Sequence, residues 1–316
     1  MNEMIDWLSR FLEMVPVRGY LDIRCFYGAP WRIEFPHAET GEVPYHAIVG
    51  GSAVFDDPVT GSRRHLTAGD IFMLPHGGAH VMHDGGGAPA APAKNRKNRN
   101  LIISENAGTG DRLDMLCGRF VLSPQHDRLL RKYLPPLFTV NAADMSASTA
   151  RPGTSAQLAG LVGLMRNETV SDSLGGRAML NALSTAMFAL ILRLASELAK
   201  APEGLLALAG HPRLTPALTA LFDEPERNWS LPELARRCNM SRATFARHFQ
   251  ERLRRSAADL QTDIRMTLAA NKLKEPWAST ATVAAEVGYQ SEAAFQRAFK
   301  QRLGVTPAQW RRSQTN

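Results

Sequence analysis

With 316 residues, 44% of them hydrophobic and 21% charged, the chain has the make-up of a folded protein long enough for two or three domains, which excludes a low-complexity or disordered polymer. No uninterrupted apolar run reaches the roughly 18 to 20 residues of a bilayer span, and the acidic, amphipathic opening MNEMIDWLSRFLEM has neither the basic region nor the cleavage site of an export signal, so the expectation is a cytoplasmic protein without a membrane segment. The net charge of +7 is unevenly spread: residues 211–316 hold 17 Lys+Arg against 10 Asp+Glu, residues 1–210 hold 20 against 20, and a basic module joined to a neutral one is the footprint of nucleic-acid binding.

In chain order, residues 20–85 alternate short β-rich runs (WRIEF, YHAIV, SAVF, DIFMLP) with turn signals, the rhythm of a small β-barrel or sandwich. The stretch 84–100, DGGGAPAAPAKNRKNRN, lacks apolar periodicity and reads as a mobile loop between strands. From residue 155 the pattern turns helical, and GGRAMLNALSTAMFALILRLASELAK predicts a long helix that is apolar over more than one face. One face is expected to pack on the barrel. The other is a candidate dimer interface, or is buried within the single chain.

The C-terminal region repeats at an offset of 50 residues, aligning LPELARRCNMSRATFARHFQERL (231–253) with ATVAAEVGYQSEAAFQRAFKQRL (281–303) at eight identical positions in 23. Each copy predicts a short helix, a turn, an N-capping serine (Ser241 or Ser291) and a second helix, which is a helix-turn-helix unit. Phe245 and Phe249, four residues apart, must face the core. Arg242, Ala243, Ala246 and Arg247 then fall on the opposite face, with Thr244 beside them, and Glu292, Ala293, Gln296 and Arg297 take the equivalent places in the second copy. Arg on such a face pairs bidentately with guanine and a small apolar side chain meets a thymine methyl, so these residues, with Ser241 and Ser291, are the candidate DNA contacts. The segment ADLQTDIRMTLAANKLKE supplies a connecting helix. Parallel recognition helices would meet successive major grooves roughly 34 Å apart.

These residues resemble the AraC/XylS family of bacterial regulators, above all over VAAEVGYQSEAAFQRAFKQRLGVTPAQWR, with Gly288, Phe295, Phe299, Gly304, Pro307 and Arg311 matching. The first copy departs after its recognition helix, where ERLRRSAADL replaces a Gly-x-Ser/Thr-Pro segment and puts the local turn geometry in question. Further upstream, Gly69 to His80 fits the cupin motif G-x5-P-x-G-x2-H, a buried strand ending in a turn that aims a histidine at the barrel mouth. Metal-binding cupins add a His-x-His and a glutamate. Here the corresponding strand offers only His46, so His46 and His80, with His76 or His83 as supplements, are candidate ligand or metal residues in a set too small for a conventional catalytic centre.

The whole pattern resembles the AraC/XylS branch with a cupin sensor, and its opening, LSRFLEMVPVRGYLDIRCFYGAPW, is similar to the RclR-type regulators that respond to reactive chlorine oxidants. That resemblance implies redox sensing through Cys25 and Cys117. A thiol switch needs two cysteines that can approach, and free cysteines are otherwise small buried hydrophobes, the reading preferred for Cys238.

The expected protein is therefore α+β: a cupin-like sensor barrel over 1–150 with the loop 84–100, a helical linker and dimerisation element over 151–205, and a double helix-turn-helix DNA-binding domain over 211–316. Its expected partners are double-stranded DNA, RNA polymerase if it is an activator, and a second copy. No cofactor is expected beyond the candidate metal at His46 and His80. Two alternatives stay open: a small-molecule ligand in the barrel, and, more remotely, a metal-dependent cupin enzyme fused to a DNA-binding module.

Overall fold

The computed structural model describes residues 6–142, 153–171 and 173–314, so the expected boundary at 150/151 lies outside the described residues. In chain order the elements are α1 (Trp7–Met14), β1 (Arg18–Gly28), β2 (Arg32–Phe35), β3 (Glu42–Gly50), β4 (Ser52–Asp56), β5 (Arg63–Thr67), β6 (Asp70–Met73) and β7 (His80–His83). Next come β8 (Ala93–Lys97), β9 (Ile102–Asn106), β10 (Arg112–Val121), α2 (Pro124–Tyr133), β11 (Phe138–Asn141), α3 (Thr154–Val170) and α4 (Gly176–Glu197). The remainder is helical: α5 (Leu205–Ala209), α6 (Thr215–Asp223), α7 (Leu231–Arg237), α8 (Arg242–Leu253), α9 (Ala257–Lys272), α10 (Thr280–Glu286), α11 (Glu292–Leu303) and α12 (Pro307–Gln314). The fold is α+β. Two compact units form, one from Val17–Ser123 with Pro135–Glu197, the other from the segment up to Pro16, Pro124–Leu134 and the chain from Leu198 on.

The first unit is the barrel. A seven-stranded sheet in the order β11-β6-β3-β10-β1-β9-β8 faces a four-stranded sheet in the order β2-β7-β4-β5. Strand β1 lies between β10, antiparallel, and β9, parallel. Between the sheets lies a core of Cys25, Tyr27, Trp31, Ile48, Phe55, Phe72, Met82, Met115 and Cys117. The stretch 84–100, expected to be a mobile loop, contains the edge strand β8 paired with β9. All five residues of β8 are exposed, so no apolar alternation marks the strand in the sequence.

Helices α3 and α4 belong to this unit. By length and composition α4 is able to cross a membrane, with a mean hydropathy of 1.6 although Arg177, Asn181 and Arg193 interrupt it; in the fold Leu180, Ser184, Met187, Phe188, Ile191, Leu192 and Ala195 are buried. Gly19 of β1 is where the helix comes closest: a Cβ there would lie 2.4 Å from the Ser184 carbonyl carbon, and the Gly19 amide donates to Thr185 Oγ1 at 2.8 Å. Arg24 of β1, 3% exposed, ties in α3, pairing with Asp114 at 2.6 Å and donating to the Arg166 carbonyl at 3.0 Å. Buried charge persists where its hydrogen bonds are met, and this guanidinium meets that condition.

The second unit is all helix, and α1 and α2 belong to it although barrel strands follow each of them in sequence. The apolar face of α1 packs its Phe11 edge-on to Phe222, and Asn271 donates to the Met14 carbonyl at 2.8 Å. On α2, Lys132 and the Tyr133 hydroxyl both hydrogen-bond the buried carboxylate of Asp263 on α9. The compact units thus cross the linear boundaries expected from composition, because the apolar faces of α1 and α2 find their partners on α6 and α9.

Candidate functional site

In the barrel, four candidate side chains form one ladder, three from the neighbouring strands β1, β10 and β3 and His80 from β7 of the facing sheet. Register pairs Cys117 of β10 with His46 of β3 and with Ile23 of β1, while Cys25 pairs with Met115, so the two cysteines sit diagonally on the inner face. Each thiol bears on the ionisation of the other, as neighbours on this diagonal do. His46 Nδ1 lies 3.0 Å from Cys117 Sγ, His46 Nε2 lies 3.0 Å from His80 Nε2, and His80 Nδ1 lies 2.9 Å from the Gly78 carbonyl.

The last contact sets the direction of the ladder, because a carbonyl only accepts. His80 Nδ1–H donates to Gly78; neutral His80 therefore accepts at Nε2 from His46, and His46 Nδ1 is left to accept the Cys117 proton. Burial pushes both imidazoles below their usual value, so both are neutral near pH 7. The two thiols are driven apart. The neighbouring Cys117 lowers Cys25, assisted by the Tyr27 hydroxyl, whereas burial raises Cys117. The proton of Cys117 is accepted by His46.

Aromatic rings enclose the pair of imidazoles: Phe35 stacks on His80 with centroids 4.6 Å apart, and Phe72 stacks on His46 at 4.8 Å. A cavity of about 490 Å³, lined by His46, His80, Cys117, Phe35, Glu42 and Arg119 among others, opens beside them. Cys117 borders it and Cys25 lies behind. His76 stands in the turn before β7 and does not line the cavity, while His83 pairs instead with Asp56 at 3.1 Å. The donor set does not fit a metal centre: every ring nitrogen of His46 and His80 is engaged, and among the described residues no group of three His, Cys, Asp or Glu side chains converges.

In the helical unit the two repeats share their capping serines and their buried phenylalanines. Ser241 caps α8 by accepting from the Thr244 amide at 3.2 Å, and Ser291 caps α11 by accepting from the Ala294 amide at 3.1 Å. Phe245, Phe249, Phe295 and Phe299 are buried, leaving Arg242, Ala243, Arg247, Glu292, Ala293, Gln296 and Arg297 exposed and Thr244 partly so. Gln296 donates to Glu292 Oε1 at 2.8 Å, which fixes its amide on the exposed face. Among the described residues Arg242, Arg247 and Arg297 make no ion pair and so present free guanidinium forks. Helix α9 holds the two copies together: Arg302 of α11 pairs with Asp259 at 2.7 Å, and Arg265 donates to the carbonyls of Pro225 and Glu226 at 2.5 and 2.8 Å, fixing the chain ahead of α7. Cys238, buried, closes α7 as its C-cap.

Residues 6–197 match the cupin family and residues 234–313 match a helix-turn-helix domain family. Over 310 residues the chain is 31% identical to an HTH-type transcriptional regulator of Haemophilus influenzae, covering 98% of this chain and 99% of the other. The chain belongs to the AraC family of transcriptional regulators that carry an N-terminal cupin domain. It is also 28% identical to the regulator MtrA of Neisseria gonorrhoeae, with 98% of each chain covered, and 25% identical to the RCS-specific activator RclR of Escherichia coli, with 97% of each covered.

This AraC-family protein is accordingly a DNA-binding transcriptional regulator rather than an enzyme, as its relatives are named. The regulator's sequence disclosed Cys25, Cys117, His46 and His80 one by one, and the fold brings all four together. It did not disclose Tyr27, whose hydroxyl lies 2.6 Å from Ser104 beside Cys25, nor the aromatic lining from Phe35 and Phe72. Those residues carry the signal of any β-barrel core, and only strand register assigns them to the ladder.

Proposed function

We propose that this regulator is a cytoplasmic activator that senses reactive chlorine oxidants through Cys25 and Cys117 and reads its operator with Ser241, Arg242, Ala243, Thr244 and Arg247 of one unit and Ser291, Glu292, Ala293, Gln296 and Arg297 of the other. One observation carries the sensing: the two cysteines are diagonal neighbours on paired strands, and one of them shares its proton with a neutral histidine. The thiolate attacks the chlorine of hypochlorous acid, giving a sulfenyl chloride and hydroxide. The second thiol then displaces chloride, so that two thiols and one hypochlorous acid give a disulfide, chloride, a proton and water. His46 accepts the proton that Cys117 sheds.

Diagonal neighbours on antiparallel strands sit about 7–8 Å apart, beyond the roughly 4.4–6.8 Å between Cα atoms that a disulfide spans. Bond formation therefore shifts β1 against β10, a change in the barrel able to bias a two-state regulator toward productive DNA or RNA polymerase contact. The exposed Leu164 and Met179 on α3 and α4 support a homodimer through these helices.

The test is intact-mass and free-thiol analysis before and after one to a few equivalents of hypochlorous acid, with peptide mapping and a parallel operator titration. A Cys25–Cys117 disulfide that changes DNA binding or transcription, absent in Cys25→Ser and Cys117→Ser, is the expected result. Thiols that stay free, or that oxidise without functional effect, overturn it. The cavity of about 490 Å³ beside His46 favours a second reading, a small-molecule ligand in the barrel, checked by a thermal-shift ligand screen of the Cys117→Ser variant.

A further inference from the structure

A second cavity, of about 480 Å³, lies entirely within the helical unit, between α2, α9 and the C-terminal turn of α11. Its walls carry Arg128, Arg131, Lys132, Arg255 and Arg302 against a single carboxylate, Asp263. That carboxylate is already taken up by Lys132, the Tyr133 hydroxyl and Arg302, and Asp259 holds Arg302 from outside the cavity. Arg128 and Arg255 are exposed at the rim and, among the described residues, make no ion pair. Inside, Gln125 is 6% exposed and its buried amide nitrogen has no hydrogen-bond partner among the described residues.

Buried donors are nearly always satisfied, and guanidinium groups gathered around one concavity repel each other unless an anion sits among them. Leu129, Met266 and Leu303 supply an apolar wall to the same space. We infer that this cavity binds a small phosphate-bearing organic molecule, its phosphate between Arg128, Arg255 and the Gln125 amide and its carbon skeleton against the apolar wall. A phosphate dianion matches the two unpaired guanidinium charges, and its oxygens accept from the guanidinium forks and the amide together. The DNA backbone is the other source of phosphate, and the geometry disfavours it. The candidate base-reading residues occupy the N-terminal halves of α8 and α11, whereas Arg255 lies beyond the end of α8 and Gln301 to Leu303 close α11.

Full-length protein is titrated with inorganic phosphate and with phenyl phosphate by calorimetry and thermal shift, against chloride at matched ionic strength. Saturable binding with a rising Tm, tighter for phenyl phosphate, is expected, falling about tenfold or more in the Arg128→Ser/Arg255→Ser double variant and in Gln125→Leu. The unliganded Tm of each variant and its operator binding report whether it is folded. Equal stabilisation by chloride, or binding unchanged in folded variants, overturns the inference. So does a loss confined to operator affinity with a shallower salt dependence, which assigns the cations to the DNA backbone.

Discussion

His46 stands where three contacts meet, holding a thiol proton on one nitrogen and a second imidazole on the other, with Phe72 stacked on its ring and Phe35 edge-on to it. If it takes the Cys117 proton as the disulfide forms, His46→Gln keeps the size of the side chain but removes the base. Stopped-flow thiol oxidation should then slow by roughly tenfold or more near neutral pH and show an altered pH profile, while Cys25 and Cys117 still pair at completion. Unchanged kinetics would make the imidazole a packing residue. Arg254 offers a test of a different kind. It adopts the left-handed conformation, φ 58°, at the position where the second repeat has Gly304 at φ 82°. The local sequence ERLRRS gave no sign that both copies end alike, because an arginine does not advertise a left-handed turn. Replacing it with glycine should stabilise the protein by about 0.5–1 kcal/mol in urea unfolding.

At the level of elements, the repeat was legible because its demands are local: a serine that caps, phenylalanines four residues apart, an alanine shared by the two first helices at 235 and 285. Each copy meets those demands with its own residues. The turn after α7 takes its positive φ at Asn239, φ 50°, whereas the turn after α10 takes it at Gly288, φ 84°, one aligned position earlier. A Cβ on Gly288 would lie 2.0 Å from the Glu226 carbonyl oxygen, so Gly288→Ala should destabilise the protein by more than about 2 kcal/mol and weaken operator binding with it. Arg247→Ala and Arg297→Ala leave the fold intact and should each weaken recognition at particular base pairs by about 1–3 kcal/mol, read by titrating operator variants. A uniform loss across sequences would reassign that arginine to phosphate. Strand β8 escaped the sequence reading for the opposite reason: an edge strand exposed on both faces is held by backbone pairing, and its side chains carry no period.

Over the whole molecule, protonation of buried histidines sets the acid limit. His46 and His80 are neutral in the fold, and burial also holds His126 down at about 4, whereas in the unfolded chain each takes up a proton near pH 6.5. Below that pH the unfolded state binds more protons, so stability falls as pH falls, by up to about 1.4 kcal/mol per pH unit for each histidine. Urea midpoints at pH 7.5, 6.5 and 5.5 should show this slope, and His46→Gln should flatten it. Membership of the two compact units was the least legible feature. Nothing in the local pattern of WLSRFLEM or PQHDRLLRKY says which distant helix will cover it, since an apolar stripe specifies a need and not a partner.

One consequence of that interleaving concerns synthesis. The Met14 carbonyl on α1 is met by Asn271, 257 residues later. At about 5–20 residues per second, the helix waits some tens of seconds beside the ribosome with Leu8 and Phe11 uncovered while the chain that will shelter them is still being translated. The helical unit cannot close until α9 has been made, so a nascent regulator has no finished DNA-binding half before its barrel strands have left the exit tunnel.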